Sequence, residues 1–200
     1  MNRREVLQRS ALALGYAISG PALSGLLQGC KASPELTYTP DFFTPEQAQL
    51  VSEVAEIILP KTDTPGAKDV GVPGFIDSML KDIFPKADQD SFLKGLAEFD
   101  QDAKATYGDV FSDCKPSDQV AHVRKHHDAA LGKDGQGTMT AWWVTGDESE
   151  KPFIVKMKEL TLIGFFTSKP GATEVLQYNQ IPGPFRGCVP LAEVGKTWAN

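Results

Sequence analysis

The 200-residue sequence carries none of the compact signatures by which a chain holds a cofactor or builds a nucleophile. It has no Cys-x-x-Cys-His haem site, no phosphate-cradling Gly-x-x-x-x-Gly-Lys loop, no strand-borne Gly-x-Gly-x-x-Gly and no Gly-x-Ser-x-Gly elbow. Gly132, Gly135 and Gly137 cluster, but they follow a helical pattern and read as loop glycines. Basic residues are in deficit, 20 against 26 acidic ones, and the net charge of -6 argues against a phosphate-neutralising surface and so against nucleic acid as a partner. Clean apolar–polar alternation is missing, as are internal repeats, so the class is mostly α. Cysteine is scarce: Cys30, Cys114 and Cys188 lack the paired spacing of a zinc site.

What is present begins with an N-terminal export signal. Arg3-Arg4 precedes an apolar run from Ala11 to Leu27 that Gly15, Gly20, Pro21 and Gly25 make unsuitable for a membrane-spanning helix. Arg3, Arg4 and Leu7 resemble a twin-arginine signal, whose pathway carries folded cargo, while Asn2, Val6 and Gln8 depart from it and leave general secretion open. Both routes end outside the cytoplasm. The run stops at Leu27-Gln28-Gly29-Cys30, which resembles a lipobox and predicts lipidation of Cys30, hence a bacterial periplasmic lipoprotein anchored to a membrane, inner or outer, without spanning it. An ordinary cleaved signal with an incidental cysteine is the alternative.

Residues 1–29 are therefore read as signal, 30–41 as tether and 42–200 as a single helical domain. Removing Arg3, Arg4, Arg9 and Glu5 takes away a net +2, so the mature chain carries -8. With Cys30 acylated, Cys114 and Cys188 remain as an even pair in an oxidising compartment, where a disulfide is the ordinary expectation. It would close a loop of roughly 75 residues and contribute about 4 kcal/mol by chain entropy.

Thr44-Pro45-Glu46-Gln47 predicts a capped helix start, followed by one apolar face at Ala48, Val51, Val54, Ala55 and Ile58 and a stop at Pro60. Val72, Phe75, Ile76, Met79, Leu80 and Ile83 predict a second helix, stopped by Pro85. Phe92, Leu93, Leu96, Phe99 and Ala103 predict a third, over about Asp90 to Tyr107. A fourth, with Ser117 as cap, carries Val120, Val123 and Leu131. Phe153 to Thr167 is a fifth, so apolar toward its end that it is either central or covered by a partner. The remaining tail has a proline or glycine every few residues and is expected to be extended and irregular.

Few residues compete for chemistry. His122 and His126 share a helical face as zinc-binding histidines do, but the glutamate of His-Glu-x-x-His is missing and no third ligand follows at a known spacing. With His127, they read as a solvated face. Asp63 is conceivable as a general base, yet Thr62, Asp63 and Thr64 before Pro65-Gly66 are better suited to bonding their own backbone in a turn. The aromatic pairs Phe42-Phe43, Trp142-Trp143 and Phe165-Phe166 cannot place both rings in one core spot, leaving one of each available to a partner.

Ile57 to Asp77, IILPKTDTPGAKDVGVPGFID, strongly resembles the hallmark of the gluconate 2-dehydrogenase subunit 3 family. Leu160 to Ser168 and Tyr178 to Cys188 look like the family's closing segments, in the right order. The resemblance implies a small, non-catalytic subunit that binds no cofactor. It would escort through export, and stabilise, a periplasm-facing sugar, sugar-acid or polyol dehydrogenase of the glucose-methanol-choline type, with FAD in that large partner and often a multihaem cytochrome c, bearing haem c, as a third subunit.

Within that frame Asp63, Pro65, Gly66, Trp142, Trp143, Tyr178 and Phe185 are the partner-interface candidates, and no catalytic or metal residue is assigned. A free-standing envelope lipoprotein binding a ligand or protein is the alternative. A small metal-dependent enzyme using His122 and His126 is the third reading.

Overall fold

The structure, a computed structural model, describes residues 36–131, 151–181, 183–184 and 186–199. These residues form α1 (Pro45–Ile58), α2 (Val72–Asp82), α3 (Lys86–Tyr107), α4 (Pro116–Leu131), α5 (Phe153–Thr167) and a short α6 (Leu191–Val194). A 3-10 turn at Phe111–Asp113 and a π turn at Gly171–Val175 complete the helical elements. The mostly α class stands, and no strand occurs among the described residues. No helix among them is long and apolar enough to cross a membrane.

Local chemistry explains most boundaries. Thr44 accepts from the Gln47 amide through its hydroxyl while Gln47 accepts from the Thr44 amide, the reciprocal box expected at the start of α1. Gly71 takes the left-handed conformation, φ 79°, that launches α2, and Gly108 ends α3 at φ 90°. Two boundaries differ from expectation. Pro85 starts α3 as well as separating it from α2, so that helix begins at Lys86. Pro116 opens α4 with its fixed φ, and Ser117, inside the first turn, donates to Asp118 instead of capping.

The apolar helix α5 is central: it packs against α1, α2, α3 and α4. Ile154, Val155, Met157, Leu160 and Phe165 are buried around its circumference. Close approach is bought with glycine. A Cβ on Gly95 of α3 would lie 2.6 Å from Cβ of Phe153, and one on Gly164 would lie 2.6 Å from the Phe75 ring of α2. Phe92, Phe99 and Phe111 are fully buried, each stabilising the fold by about 2–3 kcal/mol through transfer from water. Two expected core residues are not there, since Ile83 and Val120 are 67% and 47% exposed. Ile83 follows the last turn of α2, and in α4 the buried positions are His122 and Val123, a choice of face that periodicity alone could not make.

Of the aromatic pairs, Phe43 and Phe165 are buried while Phe42 and Phe166 pack only partly against the core. The stretch before α1 is held as well. Leu36 and Tyr38 pack on the core, and the carboxylate of Asp77, on α2, accepts the backbone amides of Asp41 (2.9 Å), Phe42 (3.2 Å) and Phe43 (3.0 Å). Asp77 is 2% exposed, so these bonds are what allows a charge to be buried there. Burial and the Asp77 charge together push the Tyr38 phenol up to about 12.

The C-terminal tail closes on itself. Gln177 donates its backbone amide to Thr197 and accepts from Ala199, forming a parallel bridge with Trp198, and its side-chain amide donates to the carbonyls of Val194 and Lys196. Between these ends the chain is mostly exposed, including Tyr178 and Ile181.

Candidate functional site

The loop from Leu59 to Gly71 joins α1 to α2 and is organised by a carboxylate that the sequence pattern did not single out. Glu56, in the last turn of α1, accepts the backbone amide of Lys61 (3.0 Å) on one oxygen and that of Lys68 (2.9 Å) on the other. Asp69 accepts the Gly66 amide at 3.1 Å and pairs with the Lys61 ammonium at 2.9 Å. Ala67 is fully buried and donates to the Leu59 carbonyl at 2.9 Å. Gly66 is required by proximity: a Cβ there would stand 2.3 Å from Oε1 of Glu56.

The loop's exposed tip is Lys61-Thr62-Asp63. Thr62 and Thr64 do bond each other, through a backbone bond of 3.0 Å and a hydroxyl contact of 3.4 Å. Asp63 takes no part in that turn; its carboxylate has no hydrogen-bond or ion-pair partner among the described residues and is presented to solvent. Glu56 and Asp69 do the holding that was expected of Asp63. An acid in the last turn of α1, where a basic residue would suit the helix dipole, is the signal that could have revealed Glu56.

A second polar cluster lies between α3 and α4. His122 is wholly buried, not solvated, with its ring 4.5 Å from that of Phe99 and 5.8 Å from that of Phe111. Its Nε2 donates to the Phe99 carbonyl at 3.0 Å, which leaves Nδ1 buried with no hydrogen-bond partner. That atom lies 3.8 Å from Oδ2 of Asp102. His126 Nε2 reaches the same oxygen at 2.9 Å, and the Lys125 ammonium reaches it at 2.6 Å.

Burial lowers the pKa of His122, only partly offset by its bond to Phe99. Asp102 is held below the usual carboxylate range, chiefly by Lys125 and next by His126. His127 stands apart and accepts from Lys158 of α5 at 3.1 Å. Asp102 was invisible as a partner because it comes from another helix, twenty residues upstream. Its place three residues after Phe99, on the edge of the apolar face of α3, is the available hint.

The expected Cys114–Cys188 disulfide is not seen in the structure, where both thiols stand unpaired. Cys114 follows the 3-10 turn and its thiol donates to the carbonyl of Val110 at 3.4 Å, whereas Cys188 lies exposed in the tail. Burial and the neighbouring Asp109, Asp118, Asp100 and Asp113 push the Cys114 thiol up, so less of it is thiolate. Iodoacetamide at pH 8 is therefore expected to label Cys188 well before Cys114, read by peptide mass spectrometry. Two thiols unreactive until reduction would sink this.

Of the interface candidates, Asp63 is exposed, Pro65 is half-buried, Gly66 is buried and Tyr178 is 57% exposed. The loop brings Asp63, Pro65 and Gly66 together. Trp142, Trp143 and Phe185 lie outside the described residues, as do Arg3, Arg4 and Cys30.

Compared with protein families, residues 45–183 match Gluconate 2-dehydrogenase subunit 3, a span that runs from the first residue of α1 into the tail. The chain belongs to that family. No curated protein and no solved structure matched it significantly. As a gluconate 2-dehydrogenase subunit 3 protein it is an accessory subunit of a dehydrogenase complex. The Glu56-held loop, the central α5 and the start of the exposed tail all fall within the matched span.

Proposed function

We propose that this subunit has no active site of its own and serves as escort and stabiliser of a large FAD-dependent dehydrogenase of the glucose-methanol-choline type, acting on a sugar, sugar acid or polyol. Membership of the subunit 3 family over residues 45–183 carries this reading. Its support in the fold is a rigidly held loop that presents Asp63, and a tail whose Tyr178, Ile181 and Trp198 are 57%, 80% and 47% exposed. Exposed aromatic and aliphatic side chains on an extended segment suit it to lie along a partner.

The remainder of the proposal concerns export. A twin-arginine signal at Arg3-Arg4 lets the flavoprotein fold around FAD before crossing, carried by its signal-bearing companion. Lipidation of Cys30 then tethers the complex to the periplasmic face of a membrane, with the partner supplying the second contact that one lipid anchor needs. A multihaem cytochrome c is the expected third subunit, taking electrons from the flavin.

The test is to tag the C-terminus, solubilise native membranes gently, purify through the tag, and record the absorbance spectrum and co-purifying masses. A flavin spectrum with a large oxidoreductase at equal stoichiometry is expected. A colourless chain isolated alone would overturn the reading, as would oxidation of sugars by the purified chain unaided.

A further inference from the structure

We infer that Asp102, His122 and His126 form a binding site for one zinc-like divalent cation that bridges α3 and α4. Three features combine. The three ligand atoms lie within 4.8 Å of one another. His122 Nδ1 is a fully buried polar atom without a hydrogen-bond partner, and it is aimed at Asp102. Its other nitrogen donates to the Phe99 carbonyl at 3.0 Å, which fixes the tautomer that leaves Nδ1 with a lone pair.

This is the arrangement metal-bound histidines adopt, the non-ligating N–H held by a carbonyl so that the ring is aimed and its basicity raised. Without a cation, the Nδ1 lone pair of His122 is buried with no donor, and the polar atom it faces, the Asp102 oxygen 3.8 Å away, is an acceptor already bonded to Lys125 and His126.

The dimensions agree. Zinc bonds of about 2.1 Å in tetrahedral geometry place ligand atoms roughly 3.3 Å apart. Two of the three separations, 2.9 Å from His126 to Asp102 and 3.8 Å from His122 to Asp102, bracket that value, and all three atoms lie within 4.8 Å, so side-chain rotation has to draw the two imidazoles together around the cation. Two imidazoles and one carboxylate are a donor set that zinc accepts and magnesium does not favour. Asp102 and His126 are about one-third exposed, which gives the cation a way in and leaves a fourth position to water.

Lys125 competes, since its ammonium lies 2.6 Å from the carboxylate oxygen that a cation would take. Charge neutralisation by the incoming dication releases it to solvent, where it is already half exposed. The site is independent of the accessory-subunit reading and requires no partner.

The test uses the full chain, carrying a tag without histidine and freed of metal by a chelator. Zinc is titrated against a chromophoric competitor, cobalt is added for its visible absorption, and thermal unfolding is followed with and without zinc. One equivalent of zinc is expected to bind and raise the unfolding temperature, with cobalt giving the intense bands of a four- or five-coordinate site. Asp102→Asn and His126→Gln should each weaken binding by at least about tenfold. Lys125→Ala should tighten it, and His127→Gln, outside the cluster, should leave it unchanged.

Because Asp102 and His126 are partly exposed, their variants keep the buried packing, and circular dichroism checks that they fold. Absence of saturable one-equivalent uptake by the unaltered chain overturns the site, as does uptake that Asp102→Asn and His126→Gln leave unchanged.

Discussion

Replacing Asp77 by alanine is expected to lower stability by about 3 kcal/mol. The amides of Asp41, Phe42 and Phe43 would lose their common acceptor, and hydrogen bonds to an ionised group contribute about 1.5–3 kcal/mol each when one partner is removed from a buried pair. Water reaching the loosened segment offsets part of that total, which keeps the expectation near the lower end. For a domain of this size the loss corresponds to an unfolding midpoint lower by roughly 6–12 °C. Asp77→Asn retains one acceptor oxygen and should fall between the two.

A second readout separates this account from a generic core defect. The Asp77 charge is one of the two causes that raise the Tyr38 phenol to about 12, the larger being burial. In Asp77→Asn the charge is gone while the volume stays. The ionisation of Tyr38, followed by ultraviolet absorbance against a Tyr38→Phe control, should move down toward 10. An Asp77→Ala midpoint within a degree of the unaltered protein would show that the amides find other acceptors and would remove the basis for this assignment.

Gly66→Ala is expected to cost about 2 kcal/mol, and its cost should depend on Glu56. The added Cβ would meet Oε1 of Glu56 at 2.3 Å and Oε2 at 2.7 Å. A free glutamate would swing aside at little expense. This one accepts from Lys61 and Lys68, so displacing it sacrifices two bonds to a charged acceptor. Glu56→Ala should cost a similar amount by itself, and adding Gly66→Ala in that background should cost less than about 0.5 kcal/mol. Denaturant midpoints of the four proteins complete the cycle. Additive losses would mean that Gly66 is needed for some reason other than the Glu56 carboxylate.

Under the proposed function the same loop bears on partner binding: Asp63 and Pro65 would be presented to the large subunit only while Glu56 holds the backbone beneath them. Weakened co-purification in Glu56→Ala would therefore reflect loop order, whereas weakening in Asp63→Ala would reflect direct contact. Asp63 is the cleaner probe, being exposed and without a partner among the described residues.

The sequence by itself determined the local order of this protein. The capping box at Thr44 and Gln47 and the bounds of α1 and α5 follow from interactions spanning at most four residues, which neighbouring letters display. The central place of α5 was half legible: an all-round apolar helix has to be covered, but only packing could say that its own four neighbours cover it.

Tertiary structure alone decided the polar contacts. Asp77 serves amides 34 to 36 residues away, Glu56 reaches Lys68 across a turn, and Asp102 meets histidines of another helix. A buried charge or lone pair is satisfied by geometry in three dimensions, and the one-dimensional spacing of acids and histidines carries no trace of which helix faces will meet.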